Sequence, residues 1–156
     1  MTDSFRIRRA TPSDLDALVA LERAAFTTDH LSRRQYRRHM HSASARVLAA
    51  VDRSGLLGKA VVFFRGNSAI ARLYSIAVAH GARGRGLGEA LLAAAEHAAA
   101  RNGAQRMRLE VRPDNAAAIR LYERQGYLRF GVLPGFYEDG TDAWRYEKRL
   151  PARPGN

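Results

Sequence analysis

A chain of 156 residues with a net charge of +11 and no cysteine has room for one hydrophobic core, and the absence of thiols excludes disulfides, thiolate metal sites and a cysteine nucleophile. No apolar run reaches the roughly 18–20 residues of a membrane helix, so no membrane partner is expected. The positive charge lies in arginines scattered from Arg6 to Arg153, with lysine only at 59 and 148; it reads as a compositional preference more than a nucleic-acid-binding tract, though it would favour a polyanionic small ligand.

Taken in order, Phe5 to Ala10 alternates weakly and predicts an edge strand. Thr11-Pro12-Ser13-Asp14 is a helix start, with a capping residue, proline at the first helical position and an acid three residues after the cap. Leu15, Leu18, Val19 and Glu22 then follow helical spacing. Ser32 with Gln35 opens a second helix, Arg33 to about His41, whose basic surface is either a solvated face or a wall of an anion site. Runs 46–51, 56–65 and 69–78, separated by the turns Asp52-Arg53-Ser54-Gly55 and Gly66-Asn67-Ser68, predict an antiparallel meander. A helix from Glu89 to Asn102 ends at Gly103. In the strand Gln105–Arg112, Met107, Leu109 and Val111 point one way, and Arg108, Glu110 and Arg112 the other. A helix from Ala116 to Gln125, a strand 127–133, a loop 134–141 and a strand 142–150 complete a mixed α/β order. One domain over 5–150 is expected, followed by a flexible tail at 151–156. The start, Met1-Thr2-Asp3-Ser4-Phe5-Arg6, has no apolar leader segment, and a cytoplasmic protein is expected.

The segment Arg83-Gly84-Arg85-Gly86-Leu87-Gly88 lies between a predicted strand and a predicted helix. Backbone N–H groups at a helix N-terminus and glycines without Cβ atoms make such a turn an anion site. The nucleoside-triphosphate pattern fails, because neither lysine nor Ser/Thr follows the glycines. The dinucleotide pattern fails at its third glycine, where Glu89 stands, and five residues separate strand from glycines.

The arginine-glycine segment resembles the R/Q-x-x-G-x-G/A signature of the GNAT N-acetyltransferase family. A second block, Leu109-Glu110-Val111-Arg112-Pro113-Asp114-Asn115 through Leu121-Tyr122 to Gly126-Tyr127, resembles that of the ribosomal-protein alanine N-acetyltransferase (RimI-like) branch. The resemblance implies the GNAT fold: a mostly antiparallel sheet of roughly six to seven strands, about four flanking helices, and two strands splayed at a cofactor cleft. It implies acetyl-CoA as co-substrate and no metal. Backbone groups of Arg83, Gly84, Arg85, Gly86, Leu87 and Gly88 would hold the pyrophosphate. Ile76, Ala77 and Val78 would pair with the pantetheine arm, with the Val78 N–H or a neighbour as oxyanion donor, and Asn115 would bond the cofactor besides capping its helix.

Acetyl transfer to an amine needs a base, an oxyanion donor and an acid for the leaving sulfur. Glu110 is the candidate base; the competing reading is a carboxylate merely paired with Arg108 or Arg112. Tyr122 is the candidate acid, on a stripe with Asn115 and Ile119; the competing reading is a core tyrosine. Phe136 and Tyr137 are expected to touch the acceptor or to anchor their loop. The five histidines show no metal-ligand spacing on one face. The branch carries a Phe-Pro-Trp-like stretch after its first helix, whereas this chain reads Phe26-Thr27-Thr28-Asp29, and Asp29 is placed to attract a cationic acceptor. The expected acceptor is a protein or peptide N-terminus, with a small amine or polyamine as alternative. A non-catalytic CoA- or nucleic-acid-binding module is the competing class. A monomer or homodimer is expected.

Overall fold

The computed structural model describes residues 4–151. Its elements follow the expected order: β1 (Arg6–Arg9), α1 (Leu15–Ala25), α2 (Arg33–His41), β2 (Ala45–Asp52), β3 (Gly55–Phe63), β4 (Ile70–Val78), α3 (Leu87–Arg101), β5 (Arg106–Val111), α4 (Ala116–Arg124), β6 (Leu128–Leu133) and β7 (Ala143–Arg149). Single 3-10 turns at Pro12–Asp14 and His80–Ala82 precede α1 and α3. Residues 1–3 of the expected start and 152–156 of the expected tail lie outside the described residues. Among the described residues no helix is long and apolar enough to cross a membrane.

The local chemistry accounts for the boundaries. Ser32 Oγ accepts from the Gln35 N–H at 3.1 Å and Gln35 Oε1 from the Ser32 N–H at 2.8 Å, so the predicted capping box fixes the start of α2. The arginines of α2 are exposed and none lines the main cleft described below, so its basic surface is a solvated face. Helix α3 begins at Leu87, two residues before the predicted Glu89, because left-handed Gly86 (φ 76°) takes the N-cap position.

All strands join one sheet in the order β1-β2-β3-β4-β5-β7-β6. Only β4 and β5 run parallel, since α3 carries the chain back across the sheet between them. Helices α3 and α4 cover one face, where Leu91, Leu92, Ala95 and Tyr122 join Leu73, Met107 and Leu109 in the larger core. Helices α1 and α2 cover the other, around Leu18, Tyr36, Val47 and Val61. Gly58 permits close layering at the far end of β4: a Cβ there would stand 2.9 Å from both the Ala77 carbonyl oxygen and Leu91 Cδ1.

The sheet parts at one place. Pairing of β4 with β5 runs from Ile70↔Arg106 to Leu73↔Leu109 and stops, although β4 continues to Val78. At the same point β4 bulges against β3: Val62 pairs with Leu73 and Val61 with Ser75, leaving Tyr74 as the extra residue. A bulge bends its strand and sharpens the local twist, which carries β4 away from β5. The residues from Tyr74 onward thus form one side of an open gap.

Candidate active site

A cleft of about 770 Å3 occupies that gap. Its walls are Leu73 to Ile76 of β4, Glu110 and Val111 of β5 with Arg112 just after it, Asn115 at the start of α4 with Ala118 and Tyr122 within it, the loop after α1, and Phe136 and Tyr137 of the β6–β7 loop. Glu110 and Tyr122 reach it from opposite faces of the sheet. Leu109 and Val111 pack in the same core as Tyr122, so strand alternation sends Glu110 to the other face. Only because the strands part do both groups border one space.

Glu110 is almost buried, with 6% of its side chain exposed. The ion pair weighed from the sequence exists, but with other partners. Oε1 accepts from Arg72 Nε at 2.7 Å and lies 2.6 Å from Arg72 Nη2, while Oε2 stands 3.6 Å from Arg145 Nε. Arg108 and Arg112 are engaged elsewhere, by Glu147 and by Asp29 and Asp139. Arg72 stands opposite Arg108 in the parallel pairing, diagonal to Glu110, and Arg145 pairs directly with Glu110 on β7. Lateral neighbours on a sheet therefore prevail over i±2 neighbours on the strand. The second oxygen, Oε2, is the less committed of the two.

The Tyr122 side chain is buried and has no hydrogen-bond partner among the described residues, yet it borders the cleft. Burial, with Tyr137 nearby, pushes its phenol above the ordinary value of 10.0. It therefore keeps its proton at neutral pH. Asn115 caps α4, its Oδ1 accepting from the Ala118 N–H at 3.2 Å, which leaves the side-chain amide N–H groups for another acceptor. The cleft-facing stripe of α4 is Asn115, Ala118 and Tyr122; Ile119, assigned to it from the sequence, packs on the core instead. Positions i+3 and i+4 flank the stripe about equally, and the larger apolar side chain turns inward.

Two loops border the cleft. Phe136 and Tyr137 meet edge-on, ring centroids 4.9 Å apart, and the Arg112 guanidinium lies over the Tyr137 ring at 4.2 Å. Burial pushes the Tyr137 phenol up to about 12, against the pull of Arg112. Asp29 lines the cleft in a left-handed conformation (φ 59°). Its carboxylate meets Arg112 at 3.3 Å, accepts from Thr28 at 2.5 Å and from the Glu138 backbone N–H at 3.2 Å. It thus ties the α1–α2 loop to the β6–β7 loop, with its charge balanced by Arg112.

Of the predicted donor-side residues, Ile76 lines the cleft, while Ala77, Val78 and the segment Arg83–Gly88 lie beyond it along β4 and into α3. Gly84 (φ 83°) and Gly86 (φ 76°) are left-handed, and no side chain caps α3. Gly88 acts in packing: a Cβ there would stand 3.3 Å from Leu121 Cδ2 on α4. Gly86→Ala meets no atom within 4 Å, so its cost is conformational alone, about 1–2 kcal/mol. The expected outcome is a lower Tm, read by thermal melts. Among the described residues no group of three or more His, Cys, Asp or Glu is placed to hold a metal ion.

Sequence reasoning missed a buried polar network behind the cleft. Lys59 and Glu22 are 0% and 2% exposed and pair at 2.9 Å. Glu22 also accepts from Tyr36 Oη at 2.5 Å and from the Leu31 N–H at 2.9 Å, and Lys59 donates to Ser75 Oγ on β4. Its one local signal is an acid at an apolar helical position, Glu22 after Leu15 and Leu18.

Glu110 and Tyr122 thus line one cleft where a parallel strand pair parts, and a left-handed glycine turn lies at the uncapped start of α3. The sequence profile of the acetyltransferase (GNAT) family matches residues 15–127, and the chain belongs to that family as an N-acetyltransferase. It is 32% identical over 114 residues to N-alpha-acetyltransferase 30 of Schizosaccharomyces pombe, covering 71% of this chain and 76% of that one. Among solved structures, Ard1 from Thermoplasma volcanium superposes with a TM-score of 0.85 at 23% identity, over 94% of this chain and 98% of that one. The ribosomal-protein-S18-alanine N-acetyltransferase from Escherichia coli does so at 0.82 and 25% identity, over 98% and 97%.

Proposed function

We propose that the protein transfers an acetyl group from acetyl-CoA to the N-terminal amine of a protein or peptide by direct attack. The observation that carries this is the meeting of Glu110 and Tyr122 at one gap from opposite faces of the sheet. The fission yeast relative and the Escherichia coli structure, both named for N-terminal or ribosomal-protein acetylation, support this choice of acceptor.

The donor side fits an elongated thioester with a pyrophosphate. The gap-facing edge of β4 from Tyr74 to Val78 has no β5 partner, and left-handed glycines expose the backbone before α3. Backbone groups of Ile76, Ala77 and Val78 would hold the arm, those of Arg83 to Gly88 the pyrophosphate, and the Asn115 amide a cofactor oxygen. Acetyl-CoA supplies the activated acetyl carbon. Glu110 takes the proton of the acceptor nitrogen at Oε2, since Oε1 is already held by Arg72. The N–C bond forms as the C–S bond breaks, and Tyr122 donates a proton to the departing sulfur. Backbone N–H at or near Val78 faces the developing oxyanion. Phe136, Tyr137 and Asp29 form the wall against which the acceptor's first residue lies.

Release of free CoA from acetyl-CoA, measured against peptide N-termini, lysine side chains and small amines or polyamines, tests this reading. Turnover with peptides bearing a free α-amine is expected. No release with any acceptor, together with no thermal stabilisation by acetyl-CoA, would sink it in favour of a binding module.

A further inference from the structure

A second cavity, of about 400 Å3, opens beside the main cleft and shares Arg72, Glu110 and Phe136 with it. The two hollows therefore meet at the Glu110 carboxylate. Four guanidinium groups border the second one: Arg65, Arg72, Arg108 and Arg145. Glu110 serves Arg72 and Arg145. Glu147 serves Arg108 at 2.5 Å and Arg106 at 3.1 Å. Two carboxylates thus answer five arginines, and positive charge is left over.

The surplus has identifiable donors. The exposed Arg65 side chain makes no hydrogen bond or ion pair among the described residues. Arg145 Nε is buried and makes no hydrogen bond, its neighbouring Glu110 oxygen being too distant at 3.6 Å. The forks are also preorganised: Arg108 and Arg145 lie over the Phe130 ring at 4.9 and 4.8 Å. Planar, stacked guanidiniums with unspent N–H groups suit carboxylates.

We propose that this cavity is an acceptor subsite for acidic side chains, binding Asp or Glu at positions just after the residue that is acetylated. The inference rests on the reading of the acceptor as a peptide N-terminus. Its size and its aromatic and aliphatic floor, Phe63, Phe64 and Leu133, suit one or two side chains of an extended peptide. A nucleic-acid strand would instead need a long basic track.

The test compares acetylation of peptides with one common N-terminal residue and with acidic, neutral or basic residues at the next three positions. Wild type is expected to prefer the acidic series by about tenfold or more in kcat/KM, expressed in KM and narrowing as salt is raised. In R65Q, at an exposed position, and in R65Q/R108Q, the acidic-to-neutral ratio is expected to fall stepwise toward one, with Tm recorded for each. Equal rates on all three series, a basic preference, or a ratio unmoved in both variants overturns the subsite while leaving N-terminal acetylation standing. Turnover of small amines with none of any peptide overturns both.

Discussion

Tyr122→Phe is expected to lower kcat by about 100-fold or more, the usual range for a positioned general acid. The substitution removes one oxygen that has no hydrogen-bond partner among the described residues, and it keeps the ring that packs 5.8 Å from Tyr127. Stability should therefore change little, and acetyl-CoA should still raise Tm. That combination separates the acid from a core tyrosine, whose replacement would move Tm and leave kcat. The sign of the pH response follows from burial. The phenol is held above 10.0, so the protonated form persists across the working range. Tyr122 should then contribute no alkaline fall in kcat below pH ~10. A wild-type turnover in Tyr122→Phe would remove the acid assignment.

Glu22→Gln should produce the largest loss of stability. It leaves the wholly buried Lys59 ammonium with Ser75 Oγ but no carboxylate. Stranding one member of a buried ion pair costs about 3–5 kcal/mol; for a domain of this size that lowers Tm by about 10 °C. Burial already holds the Lys59 amine below its ordinary 10.5, opposed by Glu22. Without the carboxylate it falls further, and the unfolded chain binds the extra proton. Stability of the variant should therefore rise with pH between the depressed value and 10.5. Adding Lys59→Met should recover most of the deficit, because the glutamine oxygen still accepts from the Leu31 N–H, its amide N–H can donate to the Tyr36 hydroxyl, and the stranded charge is gone. Denaturant titrations of both single variants and the double variant give the coupling directly. Additive losses would mean that the pair is not acting as a unit.

What could be read from the sequence was whatever leaves a local trace. Helix and strand order followed from periodicity, the start of α2 from Ser32 and Gln35, and the turn before α3 from glycines whose left-handed angles the fold displays. Strand alternation, the helix stripe and the resemblance of the second block located Glu110 and Tyr122, which both border the cleft. Pairings between distant segments left no such trace. Arg72 and Glu110 stand 38 residues apart, and Lys59 and Glu22 37 apart; nothing near either residue names its partner. The bulge at Tyr74 was equally hidden, since β4 reads as an uninterrupted apolar strand. Asp29 was placed in the acceptor wall, but its tie to Arg112 and to the Glu138 N–H depends on a loop 109 residues away.

The strand order β5-β7-β6 also sets a sequence in time. During synthesis β6 emerges before β7, yet among the described residues it pairs with β7 alone. Nothing can dock it until residues 143–149 have cleared the ribosome and slotted in against β5. That last strand brings Arg145, which stands beside Glu110, and fixes the far end of the loop bearing Phe136 and Tyr137. A nascent chain can complete the glycine turn early, but it assembles the Glu110 and Tyr137 side of the cleft only once residues 143–149 have emerged.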